Sequence, residues 1–257
     1  MDLGIEGRTA FVAASTAGLG RAVAEALGRE GANVVVTGRR GEEAATVAAA
    51  LPSAIGVQVD ILDAVSRTDA IAAAESAFGS IDIMVVNGPG PKPAAASALS
   101  PSDAEAAFTR LVAPGQDLIA RTLPGMRERR WGRILAIGSS GIVAPLQNLA
   151  SSNLGRAALA GYLKTLAGEV AADGVTVNLL LPGRIATDRV AALDAATAER
   201  TGADVDDVRR ASAQSIPAGR YGDPGEFGAA GAFLCSAPAS YITGIAMRCD
   251  GGLVRSL

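Results

Sequence analysis

The chain has 257 residues, 49% of them hydrophobic and only 19% charged, which suits one large α/β unit with a sizeable core and argues against disorder. Its 23 Lys and Arg against 26 Asp and Glu leave a formal charge of -3, so composition supplies no broad positive surface for nucleic acid or an anionic membrane. Histidine is absent and the two cysteines, Cys235 and Cys249, form no CxxC pair; no metal site is expected, Ser-His-Asp chemistry is excluded, and acid-base work falls to hydroxyls, carboxylates, lysines or water.

The first stretch, "MDLGIEGRTAFVAAS", begins with an acid and has no basic region leading into an apolar core. It does not read as a signal peptide, and no apolar run in the chain reaches membrane-spanning length, so a cytoplasmic protein is expected. "TAFVAAS" is the first strand candidate. Directly after it Gly18 and Gly20 open a helix, an arrangement that turns backbone N–H groups and the helix N-terminus toward a pyrophosphate. A tight strand-to-helix turn without a ligand would leave the same trace.

Six more apolar, β-rich runs follow in order: "ANVVVTG", "IGVQVDI", "IDIMVVN", "GRILAIGS", "VTVNLLLPG" and "TGIAMRCDGG". They are nearly continuous in apolar character, and the Ala-rich segments between them have the length of crossover helices. That pattern predicts a doubly wound α/β Rossmann fold: a seven-stranded parallel sheet with helices on both faces and ligands at the carboxyl ends of the strands. The cluster "MRERRWGR", with Arg127, Arg129, Arg130 and Arg133, falls where a helix ends before a strand and reads as solvated charge favourable to the helix dipole. Ala186–Arg220 is the longest irregular stretch and reads as a mostly helical insertion, a candidate lid at about 186–220 on one unit spanning 1–257.

The order of these motifs resembles that of the short-chain dehydrogenase/reductase family over essentially the whole chain. The family's TGxxxGxG is matched by Ala13, Ala14, Ser15, Thr16, Ala17, Gly18, Leu19 and Gly20, with Ala14 in place of the first Gly. Its NNAG becomes Val86, Asn87, Gly88 and Pro89. "NLLLPGRIATD" parallels N-x-x-x-PG-x-x-x-T through Asn178, Pro182, Gly183, Ile185 and Thr187, and "RYGDPGEF", "SYITG" and "DGG" complete the likeness. The resemblance implies a nicotinamide cofactor across the strand ends, with Ala14 to Gly20, Asn87, Gly88, Pro182, Gly183, Ile185 and Thr187 around it.

The end of the second strand selects between the two nicotinamide nucleotides. An acid there would hold the ribose 2'-hydroxyl of NAD; "VVVTGRR" instead supplies Gly38, Arg39 and Arg40. An arginine can pair bidentately with a 2'-phosphate, which points to NADP(H), although a solvated arginine pair at a turn has the same sequence. Asp60 and Ile61 in "VQVDILD" match the family's adenine-side positions, while Asp60 also suits a turn or helix cap.

At the catalytic positions the chain departs from the family. Counting from Ser139 at the end of the fifth strand, the family's Tyr position holds Ser152 and its Lys position holds Arg156; its Asn position on the preceding helix is Leu111. A phenol has a pKa near ~10 that a neighbouring cation can lower, whereas a serine hydroxyl is shorter and much less acidic. Arginine stays charged and does not shuttle protons. Tyr162 lies nearly opposite Ser152 on the same helix and offers no replacement.

Three readings stay open on these residues. One is an NADP(H)-dependent reductase of a carbonyl, ketone or 3-oxoacyl-like substrate, similar to the 3-oxoacyl-carrier-protein reductases, in which Ser139 and Ser152 orient a water while Arg156 binds the nicotinamide ribose, positioning NADPH, and stabilises negative charge. Another is a non-redox enzyme on the same fold, such as a lyase, cyclase or dehalogenase-like catalyst; the halohydrin dehalogenases also have Arg for Lys, but they keep the Tyr and discard the nucleotide site, the reverse of this chain. The third is a cofactor-binding protein without turnover. A small-molecule substrate is expected, its pocket shaped by Pro89, Pro91 and Pro93 after the fourth strand and by Pro145, Leu146 and Gln147 after the fifth. Neither nucleic acid nor membrane is an expected partner, and the family resemblance implies a homotetramer or homodimer built on the Ala-rich helices.

Overall fold

The computed structural model describes residues 1–256. All seven expected strands form: β1 Thr9–Val12, β2 Asn33–Gly38, β3 Ala54–Gln58, β4 Ile83–Val86, β5 Gly132–Ile137, β6 Val175–Pro182 and β7 Ala246–Cys249. They make one sheet in the order β3-β2-β1-β4-β5-β6-β7, and every pairing is parallel. Nine α-helices lie among the described residues: α1 Gly18–Arg29, α2 Gly41–Ala49, α3 Ala64–Phe78, α4 Pro101–Leu111, α5 Ala113–Glu128, α6 Ala150–Val170, α7 Asp188–Thr201, α8 Val205–Gln214 and α9 Pro224–Leu234.

The near-continuous apolar strands have the physical cause their sequence suggested, since the sheet is covered on both faces. Alternate side chains divide between two cores. Phe11, Met84, Ile134, Val177, Leu179 and Leu181 face the side that buries Leu118, Ile119, Leu159 and Leu163. Val12, Val34, Val36, Leu135 and Leu180 face the opposite side with Val23, Leu27 and Phe227. The order of winding, not the strand direction, reverses between β1 and β4, the neighbours from which the two halves wind outward. A crevice therefore opens above Val12 and Val86, where a doubly wound sheet binds ligands.

Local sequence sets the helix ends. Ser100 caps α4 through Asp103 N–H, Asp103 reaches back to the Ser100 N–H, and Pro101 takes the first turn, where its missing N–H costs nothing. Asp223, Pro224 and Glu226 repeat the device at α9. Between α4 and α5 the helix breaks at Val112, two residues before Pro114, whose ring and missing N–H do not allow a continuous helix through "RLVAPG".

Within the arginine cluster Arg127, Arg129 and Arg130 are exposed, as expected of solvated charge, and Arg133 corrects that expectation. Arg133 is only 2% exposed; its Nε donates to the Ser236 carbonyl at 2.9 Å and one Nη to the Gly132 carbonyl at 2.8 Å. Its guanidinium and that of Arg8 flank Trp131 at 4.4 and 4.2 Å from the ring centroid. Arg127 pairs with Asp173 at 2.6 Å, Arg129 donates to the Ile81 carbonyl and Arg130 to that of Ala172. These donors satisfy carbonyls around the amino-terminal edge of the sheet, away from the crevice, where sequence periodicity gives no warning of how many orphan carbonyls must be met. No helix among the described residues is long and apolar enough to cross a membrane.

Candidate active site

After β1 the backbone turns through Ala14 at φ +48°. Two contacts hold it there: Ala14 N–H donates to Thr37 Oγ1 at 3.1 Å, and Asn87 Nδ2 donates to the Ala14 carbonyl at 3.0 Å. Ser15 is fully buried. Its hydroxyl donates to the Val12 carbonyl at 2.7 Å and accepts from Thr37 N–H at 2.9 Å. The motif position suggested a ligand-facing side chain; the structure turns it inward as a brace between β1 and β2, where it shares the Val12 carbonyl with the Thr37 hydroxyl and satisfies the Thr37 N–H. Leu19 likewise packs its side chain on the core.

Gly20 is required by proximity. A Cβ on it would stand 2.5 Å from the Ala14 carbonyl oxygen and 2.7 Å from Asn87 Nδ2, so a larger residue would push α1 off the loop that links β1 to β4. Gly18 faces Thr187 across the crevice, with the threonine methyl 3.9 Å from where its Cβ would lie. The first turn of α1 and the approach to α7 thus form two walls of one cleft. Gly88 sits half-buried beside Asn87 at the end of β4.

At the end of β2 the two arginines separate. Arg40 is exposed and paired with Glu43 at 2.5 Å, while Arg39 is exposed and has no carboxylate partner among the described residues. A Cβ on Gly38 would fall 2.5 Å from the Thr16 methyl, so the bare glycine lets Thr16 lean over the strand end next to Arg39. Asp60 is exposed and accepts from the Leu62 N–H at 3.0 Å, which is its turn role. Ile61 is 8% exposed and belongs to the core with Val59, Ala70 and Ile71; its side chain does not face the cleft, because the alternation of the chain after β3 points it under α3.

On the other side of the crevice, Ser139 leads a short 3-10 turn, Ser140–Ile142. Its Oγ accepts from the Gly141 N–H at 3.1 Å, which leaves the hydroxyl proton free to donate. Ser152, in the first turn of α6, is partly exposed and makes no side-chain hydrogen bond among the described residues. One turn later Arg156 Nη1 donates to the Ile137 and Gly138 carbonyls at 3.0 and 3.1 Å. This fastens a cation at the carboxyl end of β5, next in sequence to Ser139. Burial, then the field of Arg189, pushes its pKa below the usual arginine value, yet a guanidinium stays charged.

Asn153 was not foreseen as part of the site. Its Nδ2 donates to the Leu146 carbonyl at 2.8 Å, and its Oδ1 lies 2.5 Å from where a Gly141 Cβ would be. It ties the loop that follows Ser139 to α6, and the only hint in sequence was an amide next to Ser152. Leu111 is 8% exposed and presses on Gly155: a Cβ there would meet Leu111 Cδ1 at 2.7 Å. An apolar side chain therefore closes the contact between α4 and α6 behind Arg156. The tyrosines lie elsewhere: Tyr162 packs on the core, Tyr241 is fully exposed, and Tyr221 donates to Asp194 at 2.9 Å.

Beyond β6, Gly183 N–H donates to the Cys249 carbonyl at 3.0 Å, so Pro182 and Gly183 are fixed against the end of β7. Ile185 is 3% exposed and buried in the second core, with its backbone paired to Gly222; only its main chain is left for the cleft. Thr187 then precedes α7. Within that helix Asp194, only 3% exposed, accepts from Arg184 at 3.1 Å and from the Tyr221 hydroxyl. The pair of helices α7 and α8 is thereby tied to the end of β6.

These features coincide with a match, over residues 13–254, to the family model described as enoyl-(acyl carrier protein) reductase. The chain belongs to the short-chain dehydrogenase/reductase family. Within that family it is 32% identical over 254 residues to the 3-oxoacyl-[acyl-carrier-protein] reductase FabG of Vibrio harveyi, covering 98% of this chain and 99% of the relative. It is also 32% identical over 257 residues to the D-beta-hydroxybutyrate dehydrogenase of Cupriavidus necator, covering 97% and 99%. Among solved structures it is similar to YwfH, an NADPH dependent reductase involved in bacilysin biosynthesis, at 30% identity and TM-score 0.92 over 97% of this chain and 99% of that one. The L-sorbose reductase of Gluconobacter frateurii, complexed with NADPH and L-sorbose, matches at 30% identity and TM-score 0.93 over the whole of both chains. Relatives at nearly equal identity act on different substrates, so similarity at this level does not fix one.

Proposed function

We propose that this short-chain dehydrogenase/reductase is an NADP(H)-dependent carbonyl reductase with a rebuilt Ser139, Ser152 and Arg156 centre. The single observation behind the reading is the intact cradle at the β1 end, where Gly18, Gly20 and Asn87 are set for close backbone approach while Arg39 stands free at the end of β2. Arg39 and Thr16 hold the 2'-phosphate, the α1 N-terminus faces the pyrophosphate, Asp60 lies at the adenine end, and the Gly88, Pro182, Gly183 and Thr187 backbone lines the nicotinamide end.

Bound NADPH would supply the hydride. The chain's own residues then have three tasks. The Ser139 hydroxyl, oriented by the hydrogen bond its Oγ accepts from Gly141 N–H, donates a hydrogen bond to the substrate carbonyl oxygen. Arg156, fixed on two backbone carbonyls, stabilises negative charge developing on that oxygen without reorganising. Ser152 holds a water in the space that a phenol would fill, and that water delivers the proton. The helices α7 and α8 act as the lid of a single 1–257 unit, anchored through Asp194, and exclude bulk water when ligand binds. A cytoplasmic homotetramer or homodimer fits the partly exposed Phe108 on α4 and Leu154 on α6.

Fluorescence titration with NADPH and NADH, followed by NADPH oxidation against a panel of ketones, oxo acids and 3-oxoacyl thioesters, tests the reading. Tighter binding of NADPH and turnover of at least one carbonyl class are expected. Binding of neither nucleotide would refute it.

A further inference from the structure

Two guanidinium groups converge on the cleft with no carboxylate to balance them. Arg156 occupies the end of β5 through the Ile137 and Gly138 carbonyls. Arg189 is the second residue of α7, and its Nη2 reaches to 3.9 Å from where a Cβ on Gly90 would lie, in the loop that follows β4. The side chain thus spans from the lid to the opposite rim, over the ends of β4 and β5. Of the ten ion pairs among the described residues, none includes Arg156 or Arg189.

This placement runs against ordinary preference. A cation in the first turn of a helix is disfavoured by the dipole, and α7 places Arg189 there. It also feels the second cation, because Arg189 is one of the two causes that depress the arginine character of Arg156. In a chain of net charge -3, acids were at hand to neutralise either group, as Asp194 does for Arg184 at 3.1 Å. Asp188 opens α7 beside Arg189 without forming an ion pair with it, and two like charges directed at one space, with no carboxylate at ion-pair distance, make that space a receptor for an anion.

We propose that Arg189, with Arg156 behind it, receives a carboxylate of the substrate, so that the carbonyl compound reduced here is a small oxo acid. The inference rests on the reductase reading. With the carboxylate on the Arg189 fork, the carbonyl lies between it and the Ser139 hydroxyl. Reduction then forms one C–H bond at the carbonyl carbon at the expense of the C–H bond of the reduced nicotinamide. The carbonyl oxygen takes a proton from the held water, which is reprotonated from solvent, and the products are a hydroxy acid and NADP+.

The test uses the intact protein and compares oxo acids with their methyl esters and primary amides, matched in carbon skeleton, by NADPH oxidation. The acid is expected to show a kcat/KM about tenfold or more above its ester, as a charge-assisted pair at a partly exposed site allows. Arg189→Gln is expected to collapse that acid-to-ester ratio toward one, and Arg189→Lys to restore part of it. Equal use of acid and ester by the starting protein overturns the proposal. So does an Arg189→Gln variant that keeps the ratio but weakens NADPH in a fluorescence titration, because the cofactor's pyrophosphate is then the anion. If no carbonyl compound is turned over, the reductase reading falls and the site is judged separately by calorimetry with the non-reducible carboxylate and amide of the same skeleton: preference for the carboxylate that Arg189→Gln removes upholds the anion site, and its absence overturns it.

Discussion

Replacing Ala14 by glycine is expected to stabilise the protein, although it removes atoms from the fold. Ala14 lies at φ +48°, in the left-handed region where an L side chain costs roughly 1–2 kcal/mol. Glycine relieves that cost but loses about 0.5–1 kcal/mol to its freer unfolded chain. The methyl is only half-buried, so its removal forfeits roughly half of the ~0.8 kcal/mol of a buried carbon. The balance is near 0.5 kcal/mol in favour of glycine, a rise of about 1–2 °C in Tm for a chain of this length. Ala14→Val runs the same physics backwards: a branched Cβ in this region is a true outlier and is expected to lower stability by about 1–3 kcal/mol. Scanning fluorimetry of the three proteins without nucleotide gives the order Gly, Ala, Val. A glycine variant that melts below the parent, or a valine variant that matches it, refutes the claim that strain is stored at this turn.

Other outcomes follow from the same geometry. Arg39→Asp is expected to erase or invert the preference for NADPH over NADH, because it removes a free donor fork and adds repulsion; parallel fluorescence titrations check it, and an unchanged ratio refutes the assignment. Tyr221→Phe leaves the buried Asp194 with one partner fewer, at a cost of about 1–3 kcal/mol; hydrogen exchange over 188–214 is expected to speed up, and identical protection would remove Asp194 as the anchor of the lid. Ser139→Ala is expected to lower kcat by about 10²-fold as an oxyanion donor is lost, with Arg156→Ala next and Ser152→Ala least, since water can replace its hydroxyl. Steady-state kinetics reads the order, and equal losses at all three positions would refute the division of roles.

The architecture was legible in the sequence because burial on both faces writes itself into the strands: β1, β4 and β5 are buried along their whole length and apolar but for Thr9 and Arg133, and β4 and β5 run into Asn87 and Gly138, residue types that turns favour. The glycines of the cradle were legible for a related reason, close approach tolerating no Cβ. What sequence did not disclose was which of two plausible partners a polar side chain would take. Ser15 and Ile61 stand at motif positions but turn to the interior, a choice made by strand-end backbone groups and by the local alternation. Arg133 reads as surface charge and is buried, because Trp131 and three carbonyls receive it. Asn153 and Arg189 act across loops that no spacing rule connects.

In the proposed reductase, Leu111 against Gly155 closes the contact between α4 and α6 behind Arg156. Protons then enter by the mouth the substrate uses, beneath the proposed lid of α7 and α8. Shutting out water and supplying a proton then compete for one opening, so each turnover must admit its water before the lid seals or reopen to finish. An enzyme built this way couples its chemistry to the timing of its gate, and a solvent isotope effect on kcat would rise and fall with lid mobility.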